Sequence, residues 1–193
     1  ALSKGQAGQA KSLVKQAVAL EPREGHFYSL LGDIEQKNKS YSSARKQYNK
    51  AIELNSEFFY YYLQRGLVNN RLNNNSTAKS DLQKSVSLLP TANAYKALGD
   101  IASAEQRYSE AKQYYAKAAD NNSTAGKAAY SSLVKLDLQD NPGKYIIVRT
   151  GVDRSGRLVA ELNNTTSVPV TGIVLQITYP DSSGRMRQAS QSL

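Results

Sequence analysis

Over residues 1–140 the chain sets apolar and small residues three and four apart, the spacing of one helix face. Short polar clusters interrupt that spacing at regular intervals. Tyr28, Leu31 and Gly32 predict a first helix, and Ala44, Tyr48 and Ala51 a second, with Tyr41 at the turn before it. The set returns as Tyr62 and Gly66, then Ala78, Leu82 and Ser85, closing at Pro90. It returns again as Tyr95, Leu98 and Gly99, then Tyr108, Ala111, Tyr115 and Ala118. The clusters Asn38-Lys39-Ser40 and Asn73-Asn74-Asn75-Ser76 divide two helices within a unit, and Asn121-Asn122-Ser123 closes one. Gly32, Gly66 and Gly99 are 34 and 33 residues apart, and Ala10, Ala44, Ala78 and Ala111 are 34, 34 and 33 apart. A period near 34 with these residue types indicates stacked helix-turn-helix units.

Glycine inside a helix costs roughly 1 kcal/mol against alanine, so three at matched positions point to a steric need. Small residues let two antiparallel backbones approach, and large ones fill the grooves beside them. Ala10, Val14, Ala17 and Pro22 match the second helix of a unit whose first helix is not in the sequence. Two expectations follow: the chain is a fragment with more sequence upstream, or residues 1–20 are simply a capping helix. Residues 125–138, with Ala129, Leu133 and Leu136 on one stripe, predict a last amphipathic helix covering the end of the stack.

These positions resemble the tetratricopeptide repeat (TPR) over about residues 7–124. The resemblance implies a mainly α fold: a helix-turn-helix solenoid of about three and a half repeats plus a capping helix, in a first domain at 1–140. There are departures. Arg65 stands where a leucine is usual, and Ser56 and Ser123 stand where Pro22 and Pro90 end other units. The middle unit is the most degenerate.

Asn141-Pro142-Gly143 ends the helical region, and the period then changes from 3.6 to 2. Tyr145–Arg149, Arg157–Leu162 and Gly172–Tyr179 predict strands, with a fourth starting at Arg185–Gln188. This makes residues 141–193 a small β-sheet domain with exposed edges, either packed on the last helix or incomplete. The runs Leu158–Asn164 and Gly172–Tyr179, with Val168-Pro169-Val170 between them, resemble an FxLYD-type β-sandwich. That resemblance implies an extracytoplasmic setting and truncation at the C-terminus.

The repeat moves the question from catalysis to binding, and charge and composition narrow the partners. The net charge is +9, from 25 basic and 16 acidic residues, spread along the chain rather than blocked. No dense basic stripe or nucleic-acid module is present, so nucleic acid is not an expected partner. No run of eighteen apolar residues exists, so no transmembrane helix is predicted. Without cysteine there is neither a disulfide nor a thiolate metal site. His26 is the one histidine, too few for a histidine zinc site and without a nucleophile partner set. No glycine-rich phosphate loop follows Gly5 and Gly8. Neither a catalytic residue nor a cofactor is expected in this chain.

Glu21-Pro22-Arg23-Glu24, the run from Phe58 to Leu67, and Leu88-Leu89-Pro90-Thr91-Ala92 resemble the C-terminal TPR region of bacterial M48-family zinc metalloproteases of the periplasmic, assembly-enhancing type. The resemblance covers about residues 1–140. It implies a periplasmic parent whose zinc and His-Glu-x-x-His helix lie upstream, with protein or peptide partners. Those partners would be substrate, outer-membrane assembly components or the parent's own protease domain. The repeats would recruit such partners through the concave groove. The alternatives are a regulatory cover packed on the catalytic domain, or a free-standing scaffold.

In a TPR stack the first helix of each unit lines the concave side. Counting units from Gly25, Phe59 and Ala92, positions 2, 5, 9, 12 and 13 are expected to face inward. These are His26, Ser29, Asp33, Gln36 and Lys37, then Tyr60, Leu63, Leu67, Asn70 and Arg71, then Asn93, Lys96, Asp100 and Ser103. Aromatic residues and arginine are the usual interface anchors. The lysine and asparagine clamp with which eukaryotic chaperone-binding TPRs hold a C-terminal carboxylate does not fall in register, so that ligand is not expected.

Overall fold

A computed structural model describes residues 4–155, 157–180 and 183–192. Its elements run α1 (Lys4–Leu20), α2 (Gly25–Lys37), α3 (Tyr41–Leu54), α4 (Phe59–Arg71), α5 (Asn75–Leu88), α6 (Ala92–Ala104), α7 (Tyr108–Ala119) and α8 (Thr124–Asp137). A 3₁₀ turn at Pro142–Lys144 and the strands β1 (Ile146–Val152), β2 (Leu158–Asn164), β3 (Val174–Pro180) and β4 (Met186–Ser192) follow. The helices form the TPR solenoid that the 34-residue period predicts. The pairs α2/α3, α4/α5 and α6/α7 are the hairpins, and α3/α4 and α5/α6 pack between units.

Small residues set the approach within each hairpin. A Cβ added to Gly32 would lie 2.6 Å from the Tyr48 ring, and one on Gly99 2.6 Å from the Tyr115 ring. At Gly66 the facing group is Leu82, whose Cγ would be 2.9 Å away. Ala44, Tyr48 and Ala51, and their counterparts Ala78, Leu82 and Ser85, are fully buried. The matching stripe of α1, Ala10, Val14 and Ala17, is only half-buried.

One device closes all three hairpin turns. Lys39, Asn73 and Gln106 are left-handed, with φ of 62°, 59° and 59°. Beside them the amides of Ser40, Asn74 and Arg107 donate five residues back to the carbonyls of Glu35, Asn69 and Ala102. This is the six-to-one bond of the Schellman motif, which satisfies carbonyls left over at a helix end. Asparagine tolerates the left-handed region; lysine and glutamine adopt it at a steric cost.

The middle unit is held differently. Arg65 Nε and Nη2 donate to Asp81 at 2.9 and 2.5 Å, Nη1 donates to Asn49 of α3 at 3.0 Å, and Asn69 Nδ2 donates to Asp81 at 3.0 Å. Asp81 is buried, so it depends on this forked pair and on Asn69 for its charge. Leu31 and Leu98 occupy the position of Arg65 in the other units. The degenerate copy thus replaces an apolar contact by a polar network joining α3, α4 and α5.

The chain divides into two compact units, Ala1–Leu133 and Val134–Leu193. The division lies earlier than residue 140 because Val134 packs with Tyr145, Val168, Leu138 and Ile146. In the second unit Asp137 accepts from Asn141 Nδ2 (2.9 Å), Lys144 Nζ (3.2 Å) and Tyr145 Oη (2.8 Å). The strands form two antiparallel hairpins, β1/β2 and β3/β4, rather than one four-stranded sheet. Ile146 stands opposite Asn164, and Val174 opposite Ser192. Tyr145 lies outside β1 because its backbone closes the 3₁₀ turn, with φ −117° and ψ −22° and its amide donating to the Pro142 carbonyl.

Candidate binding groove

Successive first helices α2, α4 and α6 enclose an open cavity of about 680 Å³. It is lined by Asp33, Gln36 and Lys37 of α2, Tyr41 of α3, Tyr60, Gln64, Leu67, Asn70 and Arg71 of α4, and Ala97 and Asp100 of α6. The helical register explains this selection. Positions 9, 12 and 13 of a unit stand four, three and one residues apart, so they share a face near the helix end.

The walls carry internal hydrogen bonds. Tyr48 Oη donates to Asp33 at 2.7 Å, and Tyr60 Oη approaches both Asp33 oxygens at 3.2 and 3.1 Å. One carboxylate thus ties its own hairpin to the next unit. Burial raises the Asp33 pKa, against the lowering effect of those hydroxyls and of His26. The Tyr60 phenol is pushed up to about 12, first by burial and then by the Asp33 charge. One repeat apart, the pattern returns: Tyr115 Oη donates to Asp100 at 2.9 Å, and Lys96 Nζ donates to its other oxygen at 2.7 Å. Tyr115 is likewise pushed up to about 12, by burial and then by Asp100. In the middle unit the same two positions are Leu67 and Leu82, so an apolar step separates two acid–phenol pairs.

Of the residues named from register, Asp33, Gln36, Lys37, Tyr60, Leu67, Asn70, Arg71 and Asp100 line this cavity. The others lie elsewhere. Leu63 is buried in the core with Ala78, Leu82, Ala94, Leu98 and Ile101. Ser29 is 1 % exposed and donates to the His26 carbonyl at 3.1 Å. These two placements correct the register: position 5 turns into the helix junction and not into the groove. Lys96, at the same position, is drawn into its ion pair with Asp100. His26 lines a second hollow of about 520 Å³ with Glu21, Glu24, Phe27, Asn55, Phe58 and Tyr61. Asn93 is exposed, and neither it nor Ser103 lines the cavity. Gln64, Ala97 and Tyr41 line it although the register did not select them. Gln64 and Ala97 both hold position 6, one residue past the expected position, which was the available signal.

No group of three or more His, Cys, Asp or Glu side chains is placed to hold a metal ion among the described residues. No helix among them is long and apolar enough to cross a membrane.

A solenoid of paired helices with a polar, open concave side defines a class of repeat protein, and the comparisons name it. Residues 25–58 and 92–124 match the tetratricopeptide repeat model. The match skips 59–91, the unit held by Arg65 and Asp81, yet α4 and α5 form the same hairpin as their neighbours. No curated protein matches the chain. Solved structures similar to it include MamA, at 25% identity and TM-score 0.56, over 60% of this chain and 68% of that one. TTC0263, a thermophilic TPR protein of Thermus thermophilus, is 23% identical with TM-score 0.58, over 69% and 74% of the two chains. The first TPR of Spaghetti (RPAP3), bound to the HSP90 peptide SRMEEVD, is 23% identical with TM-score 0.55, over 60% and 92%. Residues 25–58 and 92–124 are therefore tetratricopeptide repeats, and the hairpin of α4 and α5 between them continues the same TPR solenoid.

Proposed function

We propose that this chain binds a protein or peptide segment in the concave groove of α2, α4 and α6. The observation that carries this is the cavity itself. Three successive repeats contribute to it, and it joins an apolar step at Leu67 and Ala97 to a rim of amides and charges. A few convergent polar groups around an apolar floor are the usual make-up of a recognition site. The Spaghetti TPR, solved with a peptide, is a precedent for ligand binding by this fold.

The test is peptide display against the chain, with Tyr60→Ala, Leu67→Ala and Arg71→Ala combined as the groove variant. Displayed ligands should be selected by the original chain and lose at least tenfold in retention on the variant, with helicity unchanged. Retention that does not change would remove the groove from consideration.

A periplasmic M48-type metalloprotease as parent, with these repeats recruiting its substrates or envelope partners, is the finer form of this proposal. It is supported by the residues around Glu21–Glu24, Phe58–Leu67 and Leu88–Ala92. The genomic sequence upstream of Ala1 tests it: a His-Glu-x-x-His helix there is required, and its absence ends this form of the proposal.

A further inference from the structure

The second hollow, of about 520 Å³, lies where α1 passes to α2 and α3 to α4, and it shares no lining residue with the groove. Its ring surface comes from the starts of α2 and α4. The Phe58 ring meets Tyr61 edge-on at 4.9 Å between centroids and lies 6.1 Å from the His26 ring. Its charge comes from Glu21 and Glu24, and no Lys or Arg is in the lining. Glu24 gives one oxygen to the His26 amide at 2.9 Å, as the N-cap of α2. Neither carboxylate meets a cation among the described residues, and Arg23, between them in sequence, pairs with neither. Elsewhere in the repeats Glu35, Glu53, Asp81, Asp100 and Glu110 each hold a Lys or Arg. The helix ends do not set the sign here. Two N-termini, of α2 and α4, and two C-termini, of α1 and α3, meet at the hollow and offset each other.

A second observation is independent of the acids. Tyr61 is 2 % exposed and lines the hollow, yet its hydroxyl has no hydrogen-bond partner among the described residues. It stands beside Gly25, where an added Cβ would lie 3.4 Å from Oη. Burial, and then the Glu24 charge, raise the Tyr61 pKa, so this hydroxyl is neutral and feels that carboxylate. A buried hydroxyl without a partner costs free energy, which a ligand with a hydrogen to donate recovers. The set is not a requirement of the repeat. At the next junction the caps are Leu89 and Thr91 in place of Asn55 and Phe58, and Ala94 stands in the position of Tyr61.

We infer that this hollow seats an arginine side chain of a partner polypeptide, its guanidinium held by the Glu21 and Glu24 carboxylates, the Tyr61 hydroxyl and the Phe58 and His26 rings. The chemistry selects that group. Ring surface attracts any cation, but a quaternary ammonium has no N–H for the phenol or the carboxylates. A guanidinium is planar, stacks on rings and carries five donors in a fixed fork, whereas an ammonium is a more strongly hydrated point charge. Asn55 spends its side-chain oxygen on the Glu57 amide at 3.0 Å, which leaves Nδ2 to donate to a backbone carbonyl beside the arginine. That contact favours a chain segment over a free cation. The site stands apart from the concave groove, and either can fail without the other.

The probe is the acetylated, amidated pentapeptide Gly-Ser-Arg-Ser-Gly, titrated into the isotope-labelled whole chain and followed by amide NMR shifts. Companion peptides carry citrulline or lysine at the centre, and ethylguanidinium supplies the bare head group. Saturable shifts should concentrate at Glu24, Gly25, His26 and Tyr61. The arginine peptide should bind about tenfold more tightly than the citrulline peptide, which keeps the shape and loses the charge. It should bind about threefold more tightly than the lysine peptide or ethylguanidinium. Glu21→Gln with Glu24→Gln should weaken it about tenfold, while the glutamine oxygen at 24 retains the helix cap. Tyr61→Phe keeps the ring, and should weaken binding about threefold with helicity unchanged. Arg71→Ala, in the groove, should change nothing. The assignment is overturned by any one of four results: no saturable shift, shifts centred on the groove, a companion ligand that binds as tightly as the arginine peptide, or glutamine variants that bind as well as the original chain.

Discussion

Gly99→Ala puts the packing account at risk on its sign. Helix propensity alone predicts that alanine stabilises α6 by about 1 kcal/mol. The structure predicts the reverse. The new Cβ would lie 2.6 Å from both Cδ1 and Cε1 of Tyr115, a distance at which something must shift. Tyr115 cannot swing aside freely, because it is 3 % exposed and its hydroxyl is bonded to Asp100. Overpacking of this kind costs about 1–3 kcal/mol. Set against the propensity gain, the net expectation is a loss of up to about 2 kcal/mol in place of a gain of about 1 kcal/mol. Equilibrium unfolding in guanidinium, followed by far-UV circular dichroism, reads the change. Hydrogen exchange of α6 and α7 shows whether the loss is local, since repeat arrays need not unfold in one step. Two controls sharpen it. A Cβ on Gly8 of α1 meets nothing within 4 Å, so Gly8→Ala should gain up to about 1 kcal/mol. In a Tyr115→Leu background, which copies the Leu82 that faces Gly66, Gly99→Ala should cost at least about 1 kcal/mol less than in the original chain. A Gly99→Ala chain more stable than the original, with no coupling to residue 115, would refute close helix approach as the reason for the recurring glycine.

Four further outcomes can be measured by unfolding or titration. Arg65→Ala leaves the carboxylate of Asp81, 5 % exposed at its side chain, without its forked partner, and should cost about 2–4 kcal/mol; Arg65→Leu with Asp81→Asn should recover most of that. Gly at position 39 or 106, replacing Lys or Gln in the left-handed turn, should stabilise by about 0.5–1 kcal/mol, and a loss would contradict the φ assignment. For Asp33 the folded pKa is raised above 3.8, so the folded state holds its proton longer and the group's contribution is full below that value. It is lost as pH rises through the raised pKa, and Asp33→Asn should therefore gain on the original chain across that window, as acid-to-neutral unfolding curves would show. The phenols follow the same sign in alkali: Tyr60 and Tyr115 should stay protonated past 10 and ionise near 12, with stability falling over that interval, as absorbance near 295 nm would report.

The fold was legible because its cause is short-range and repeated. Gly32 with Tyr48, and Gly99 with Tyr115, are each one contact fixed by a spacing of sixteen residues, so the pattern and the packing are the same fact. The groove was legible only in part, because a concave face depends on how each unit is rotated against the next. Leu63 and Gln64 differ by about 100° around one helix. That step decides whether a side chain enters the core with Leu82 and Leu98 or lines the cavity with Leu67. No residue type near Phe59 marks the rotation. It is set by contacts between units, such as Tyr60 reaching Asp33 and Arg65 reaching Asn49, each between residues 16 or 27 apart in sequence. The same contacts explain why the middle repeat matters most to the groove while looking least like a repeat. Its leucines at 67 and 82 interrupt the acid–phenol pairs, and its Arg65 network ties α3, α4 and α5 together. The degenerate unit supplies five of the cavity's lining residues, and Leu67, one of its departures from the pattern, is among them.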